Sequence, residues 1–334
     1  MSNSEPQSRE ANGSSDQGRS DMAQGPAPFT DPTPPRSAFA AVNGIKLYYL
    51  DWGGSGPPLV MVHGIGDNPH VFDDLASHLR DSFRIIAYAR RAHGRSDAPA
   101  GPYDGATLVE DLRQLLDTLG IQRTSLVGWS MGGNEITAFA GQYPDRVDRL
   151  VYLEAGYDWS RPAFFNAFVD ALAVNSPGAT DVLSVDAFRA WYREAWLGEA
   201  PWSLGLEAYL RDVAQPDAMG KLHPVPNEKA FAALLETLGS WQRDYRKVRA
   251  PALVLYATAF FPLDPSDAAL AQKVRDFEQN TMVPFRAASM ERIRRELPGA
   301  KVLQLSGRTH MSIGVEKTEE LAVIIRDFWS SPVR

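Results

Sequence analysis

The run Gly128-Trp129-Ser130-Met131-Gly132-Gly133 constrains this chain more than any other stretch. It follows the apolar residues Ser125-Leu126-Val127 and opens a helix-patterned segment that continues to Tyr143. A serine at a sharp strand-to-helix turn is exposed, in a strained conformation that crowds its neighbours. Glycines two positions away on each side relieve that crowding. The start of the following helix offers free N–H groups and a positive dipole end to a developing negative charge. The spacing therefore predicts a nucleophilic serine at the tip of a strand.

The rest of the chain agrees with a sheet around that strand. Asn43-Gly44 supplies the positive φ values of a tight hairpin between Phe39–Val42 and Ile45–Asp51. Short apolar runs then alternate with helical patterns. The runs are Leu59–Val62, Arg84–Ala89, Ser125–Gly128, Leu150–Leu153, Ala252–Tyr256 and Val302–Leu305. Strands apolar on both faces imply an open, mostly parallel sheet covered by helices on each side, an α/β architecture. Helices are predicted over Val71–Arg80, Leu108–Leu119 and Leu321–Trp329.

The alternation stops between Leu153 and Ala252. Residues 156–248 read as helices only: Ala163–Val174, Ala187–Trp196, Leu204–Val213 and Glu228–Leu238. Five of the eight tryptophans lie there. Such a stretch is too long for a connection. It predicts a helical cap inserted into a core domain formed by residues 37–155 and 249–334. Residues 1–36, rich in Ser, Gly, Gln, Asp and Pro, lack the apolar surface to order themselves and predict a disordered tail. That tail has no apolar h-region, so it reads as no intact secretory signal, and the expectation is a cytoplasmic protein.

Composition removes several function classes. With no cysteine, disulfides, thiolate catalysis and Cys-ligated metals are excluded. The net charge of −7 and the lack of a basic stripe argue against a nucleic-acid partner. No apolar run reaches the roughly 18 residues of a membrane span.

Two further motifs suit a nucleophilic serine. His63-Gly64-Ile65-Gly66 follows Leu59–Val62, so the Ile65 amide can aim at the same oxyanion as the Met131 amide, with the His63 side chain structural. Gly307-Arg308-Thr309-His310 follows the last strand. Of the histidines at 63, 70, 78, 93, 223 and 310, only His310 combines a strand C-terminal end with the chain order Ser…His.

Together these residues resemble the α/β-hydrolase superfamily, over roughly residues 37–334. The resemblance takes in Asn43–Tyr49, the turn at 63–64, His93-Gly94-Arg95-Ser96, the elbow at 128–132, Tyr143–Val147 and His310. Within the superfamily the chain is most similar to capped serine esterases and lactonases of the carboxylesterase type. It departs at Ala89-Arg90-Arg91-Ala92-His93-Gly94, where relatives carry Asp-x-Arg-Gly-His-Gly. A missing acid there leaves the chemistry alone but changes the charge beside the core.

The acid of the triad has more than one candidate. Many relatives place it after the penultimate strand, where the first acid here is the late Asp264. Others place it one strand earlier, where Glu154 follows Leu153 directly and Asp158 lies four residues on. Glu154 is preferred because it leaves its strand with no intervening loop. The unusually long stretch from Thr258 to Ala300 suggests that the usual acid-bearing turn was remodelled.

The resemblance implies two-step acyl transfer on an ester or lactone, with no metal or organic cofactor. A serine at position 130 argues against dehalogenase and epoxide hydrolase chemistry, which in relatives needs a carboxylate there. Two rival readings stay open: a cofactor-free perhydrolase, and a non-catalytic small-molecule receptor of the same fold. The cap, with 12 acids and 9 bases, has no cationic bias for anionic substrates. Trp129, Trp191 and Trp196 are candidate substrate contacts; cap rings serve either that purpose or the cap's own core.

Overall fold

The computed structural model of the chain describes residues 34–331. The tail expected over residues 1–36 lies, up to residue 33, outside the described residues, and Arg36 already opens the first strand. The strands are β1 Arg36–Val42, β2 Ile45–Gly53, β3 Pro58–Val62, β4 Arg84–Tyr88, β5 Thr124–Trp129, β6 Val147–Leu153, β7 Ala214–Pro216, β8 Leu222–Pro224, β9 Ala252–Ala257 and β10 Lys301–Leu305. The helices are α1 Asp73–Leu79, α2 Gly105–Thr118, α3 Gly132–Gln142, α4 Pro162–Val174, α5 Val185–Tyr192, α6 Leu204–Val213, α7 Glu228–Ser240, α8 Ala268–Phe277, α9 Val283–Glu296, α10 Ser312–Val315 and α11 Thr318–Ser330. None is long and apolar enough to cross a membrane.

Eight strands form one sheet in the order β1-β2-β4-β3-β5-β6-β9-β10. The hairpin turns at Asn43 and Gly44, with φ of 46° and 78°. Its strands pair antiparallel, β2 meets β4 antiparallel, and every later pairing is parallel. The two-residue period divides the strand residues between two cores. Val60, Leu126, Leu150 and Val254 join Leu112 of α2 and Phe139 of α3 on one face. Leu59, Val127, Val151 and Leu253 join Leu75 of α1 and Leu321 of α11 on the other. Both faces are buried, which is why the strands read as unbroken apolar runs.

From β3 the chain moves outward to β4, returns past β3 to β5, and continues to β6 and β9. Strand order thus reverses beside β3 and β5. The crevice at such a reversal, at the strand C-terminal ends, is where open α/β sheets place their sites.

One expectation about the long segments needs correction. Residues 156–248 are not helical throughout. A two-stranded antiparallel ribbon, β7–β8, interrupts α6 and α7, with strands of three residues that are too short to leave a periodic pattern. The long stretch after β9 folds into α8 and α9, joined through a π-helical turn at Glu278–Met282.

The loop after β4 carries Arg90 and Arg91 into the interior. Both are buried, so each needs a countercharge. Glu135 of α3 accepts from Arg90 Nε at 2.7 Å and Nη2 at 2.5 Å. Asp111 of α2 accepts from Arg91 Nε and Nη2, both at 2.6 Å, and also from Asn43 Nδ2 at 2.9 Å. The second pair ties the β1–β2 turn, the β4 loop and α2 together. Asp111→Ala strands the Arg91 charge and is predicted to cost about 3–5 kcal/mol in chemical denaturation, whereas joint replacement of Arg91 and Asp111 by Met and Leu restores much of that loss.

Candidate active site

Ser130 follows β5 with φ of 52°, a left-handed conformation that non-glycine residues rarely adopt. Its neighbours explain how the turn closes. A methyl group at Gly128 would lie 2.7 Å from the Gly132 carbonyl, and one at Gly132 would lie 2.1 Å from the Val62 carbonyl oxygen. Only hydrogen fits at both places. The Gly133 N–H donates to the Ser130 carbonyl at 3.0 Å, which starts α3 directly behind the serine.

His310 sits in the loop between β10 and α10. Its amide donates to the Phe260 carbonyl at 3.1 Å, its carbonyl accepts from Trp129 Nε1 at 3.1 Å, and its ring stacks on Phe260 with centroids 4.2 Å apart. The amides of Thr258 and Ala259 donate to the Arg308 carbonyl. The segment just after β9 is therefore the bed on which the histidine loop lies.

Glu154 is fully buried at the end of β6, also left-handed, with φ of 49°. Its Oε2 is 3.0 Å from His310 Nδ1, and its Oε1 accepts from the Ala257 amide at 2.7 Å and the Tyr157 hydroxyl at 3.0 Å. Arg286 Nε donates to the Tyr157 oxygen at 3.1 Å, while Arg286 Nη1 pairs with Glu278 at 2.9 Å. Glu278 in turn accepts the Phe260 amide at 2.8 Å. The stretch between β9 and β10 thus supplies a second layer behind Glu154 and under the His310 ring. No local motif marks Arg286 or Glu278, and Arg286 reaches Tyr157 from 129 positions away.

The other two acids lie elsewhere. Asp264 is 91% exposed at its side chain and pairs with Arg275 at 3.4 Å. Asp158 pairs with Arg292 and caps Ser160.

The turn after β3 is pinned by buried, neutral histidines. His63 Nδ1 donates to the Gly64 carbonyl at 2.7 Å, and its Nε2 accepts the Arg90 amide at 3.0 Å. His93 Nδ1 donates to the Arg91 carbonyl at 3.0 Å, and its Nε2 accepts the Gly66 amide at 3.1 Å. Arg90 adds hydrogen bonds to the carbonyls of His63 and Gly64. Burial, and then the Arg90 charge, push His63 well below its ordinary 6.5 and His93 down to about 3.

Ser130, His310, Ile65, Trp191 and Trp196 line one cavity of about 430 Å³, with predominantly apolar walls contributed largely by residues 156–248. Met131 is buried at the N-cap of α3. Trp129, expected as a substrate contact, is not on the cavity wall. It shares the face of Val127 along β5, packs against Phe72 and is fully buried in the lower core. Strand alternation alone contained that signal. One cavity residue had no motif to mark it: Asp67, whose Oδ1 accepts from Tyr209 of α6 at 2.8 Å.

Residues 57–196 match the family model described as alpha/beta hydrolase fold. The chain has the α/β-hydrolase fold. It is 38% identical over 129 residues to an uncharacterized protein of Mycobacterium tuberculosis, of whose length it spans only 38%. It is 28% identical over 253 residues to a putative non-heme chloroperoxidase of Synechocystis, covering 70% of this chain and 84% of that one. Among solved structures, the chain is similar to an E-2-(acetamidomethylene)succinate hydrolase, with a TM-score of 0.71, 24% identity, and coverage of 89% of this chain and 100% of the other. An enol-lactonase of Burkholderia xenovorans gives a TM-score of 0.58 at 23% identity, covering 88% of this chain and 100% of that one. These two share the fold.

The His93 ring gives this protein an acid sensitivity of definite sign. The unfolded chain takes up a proton near pH 6.5, but folded His93 does not until about 3. Its contribution is complete above 6.5 and is lost as pH falls toward 3. Buried carboxyls with raised values, among them Asp67 and Glu135, act in the opposite sense, so the comparison must be between variants. Melting temperature followed from pH 7.5 to 4.5 is predicted to fall less steeply in His93→Gln than in the parent.

Proposed function

We propose that the chain is a serine hydrolase that cleaves a carboxylic ester or lactone through an acyl-enzyme on Ser130. The observation that carries this reading is the buried contact of His310 Nδ1 with Glu154, in a histidine that shares a cavity with the left-handed Ser130. The Ala257 amide and the Tyr157 hydroxyl both donate to the Glu154 carboxyl group, so we read it as the acceptor at Oε2 as well, with Nδ1 of His310 carrying the proton. The Nε2 lone pair is then free for the serine hydroxyl.

In this reading His310 takes the Ser130 proton as Oγ attacks the carbonyl carbon. The amides of Ile65 and Met131 stabilise the oxyanion, each such donor being worth about 10²–10³ in rate. The imidazolium returns its proton to the leaving alkoxide. Water then attacks the acyl-enzyme, with His310 again the base, and frees the acid and Ser130. Residues 156–248 act as a cap whose rings, Trp191 and Trp196 among them, exclude water and hold the apolar part of the substrate.

Similarity to a putative chloroperoxidase over most of that protein's length supports a second outcome of the same intermediate. Hydrogen peroxide attacking in place of water releases a peracid and regenerates the serine. The two outcomes are separated by measuring acid against peracid as peroxide is raised.

Ser130→Ala tests the reading. The variant is predicted to stay folded, to lose labelling by a fluorophosphonate, and to lose several orders of magnitude in ester turnover. Near-normal turnover or undiminished labelling contradicts it.

A further inference from the structure

The proposed acyl transfer makes no use of Asp67, yet this carboxyl group is buried on the cavity wall within the electrostatic reach of His310. Its two oxygens have different surroundings. Oδ1 accepts the Tyr209 hydroxyl at 2.8 Å. Oδ2 leans over the turn below the nucleophile. A methyl group at Gly64 would sit 2.3 Å from Oδ2 and 3.0 Å from Ser130 Cβ, so the carboxyl and the serine flank one point of the chain.

Beside them, Tyr192 lines the same cavity, its ring centroid 5.4 Å from that of Tyr209. Its hydroxyl is buried beside that of Tyr209, and no hydrogen bond of normal geometry satisfies it among the described residues. A buried polar group without a partner costs free energy that a ligand can recover. The wall therefore presents an acceptor, Asp67 Oδ2, and an unused hydroxyl, close to the serine and surrounded by apolar side chains. The cavity lining holds two carboxylates, Asp67 and Glu228, and neither lysine nor arginine.

We propose that Asp67, held by Tyr209, is a specificity residue. It accepts a hydrogen bond from a neutral donor, a hydroxyl or amide N–H, carried two or three bonds from the scissile carbonyl of the substrate. It also turns away substrates with a carboxylate at that place. This deepens the esterase reading and rests on it for the location of the carbonyl. A hydroxyl or secondary amide both donates and accepts, so it answers Asp67 and Tyr192 together. A second carboxylate has no donor of positive charge to meet and faces Asp67 directly. Burial raises the Asp67 carboxyl above its ordinary range, which softens that repulsion but leaves the acceptor oxygen in place.

The test uses four methyl esters of similar size: methyl butanoate, the two enantiomers of methyl 3-hydroxybutanoate, and monomethyl succinate. Turnover is followed by titrating the released acid. The full-length protein is expected to give one 3-hydroxy enantiomer a kcat/KM at least about tenfold above the butanoate, and the succinate at least about tenfold below it. Asp67→Asn keeps an acceptor for Tyr209 and places an NH₂ where Oδ2 was, so the order of the hydroxy ester and the succinate should reverse or collapse. Tyr209→Phe should lower the hydroxy preference with Asp67 intact. Equal kcat/KM for all esters in the parent, or an unchanged order in Asp67→Asn, overturns the proposal. A uniform fall for all esters in both variants, matched by lower melting temperatures, assigns Asp67 a structural role and overturns it too.

Failure of the esterase reading itself is recognised separately. If no ester is turned over, the corresponding amides are titrated by quenching of tryptophan fluorescence, since Trp191 and Trp196 line the cavity. The same order of affinities is expected, and equal affinities overturn the assignment of Asp67.

Discussion

A carboxylate fully buried at the end of a strand survives only if its charge is met on every side, and the organisation around Glu154 follows from that need. Desolvation of an isolated carboxylate costs several kcal/mol even after relaxation. Here the Ala257 amide, the Tyr157 hydroxyl and His310 Nδ1 each approach within hydrogen-bond distance. Two of these come from the neighbouring parallel strand and from the loop after the last one. The sheet order β6-β9-β10 is what brings them there. The left-handed backbone of Glu154, at a cost of about 1–3 kcal/mol, turns the side chain across the strand ends instead of along β6. The Arg286–Glu278 pair then continues the network into α8 and α9, and Glu278 returns to the Phe260 amide beneath the histidine ring. The long stretch between β9 and β10 thereby stiffens both partners of the contact.

On the opposite side of the serine, the turn after β3 depends on a different solution to the same problem. Arg90 is as buried as Glu154, and Glu135 neutralises it from α3, the helix that begins at the serine. Its remaining donors hold the carbonyls of His63 and Gly64. Two neutral imidazoles complete the turn by taking backbone amides as acceptors. An arginine in the interior gives the loop after β4 a role in shaping the turn next to Ser130.

Much of this could be read before folding because it is local. Apolar runs bounded by glycine and proline marked the strands, since both sheet faces are covered. Glycines around Ser130 marked the elbow, since the close approach of Val62 leaves no room for a side chain. Glu154 stood out because it follows its strand without a loop. What could not be read was non-local or short. Tyr209 reaches Asp67 from 142 positions away, and Arg286 reaches Tyr157 from 129. The ribbon of β7 and β8 has three residues per strand, below any periodic signal. Trp129, two residues after Val127, lies on the same sheet face as that residue and packs into its core, away from the cavity.

The central claim is that Glu154, and not Asp264, orients His310. It is tested most directly by comparing Glu154→Gln and Asp264→Asn in ester hydrolysis under saturating substrate. The account predicts a loss of about 10³–10⁴ in kcat for Glu154→Gln, with the fold retained, because the amide no longer fixes the imidazole tautomer. Asp264→Asn, at an exposed ion pair, should leave kcat within about twofold of the parent. A crippled Asp264→Asn beside a near-normal Glu154→Gln would contradict it.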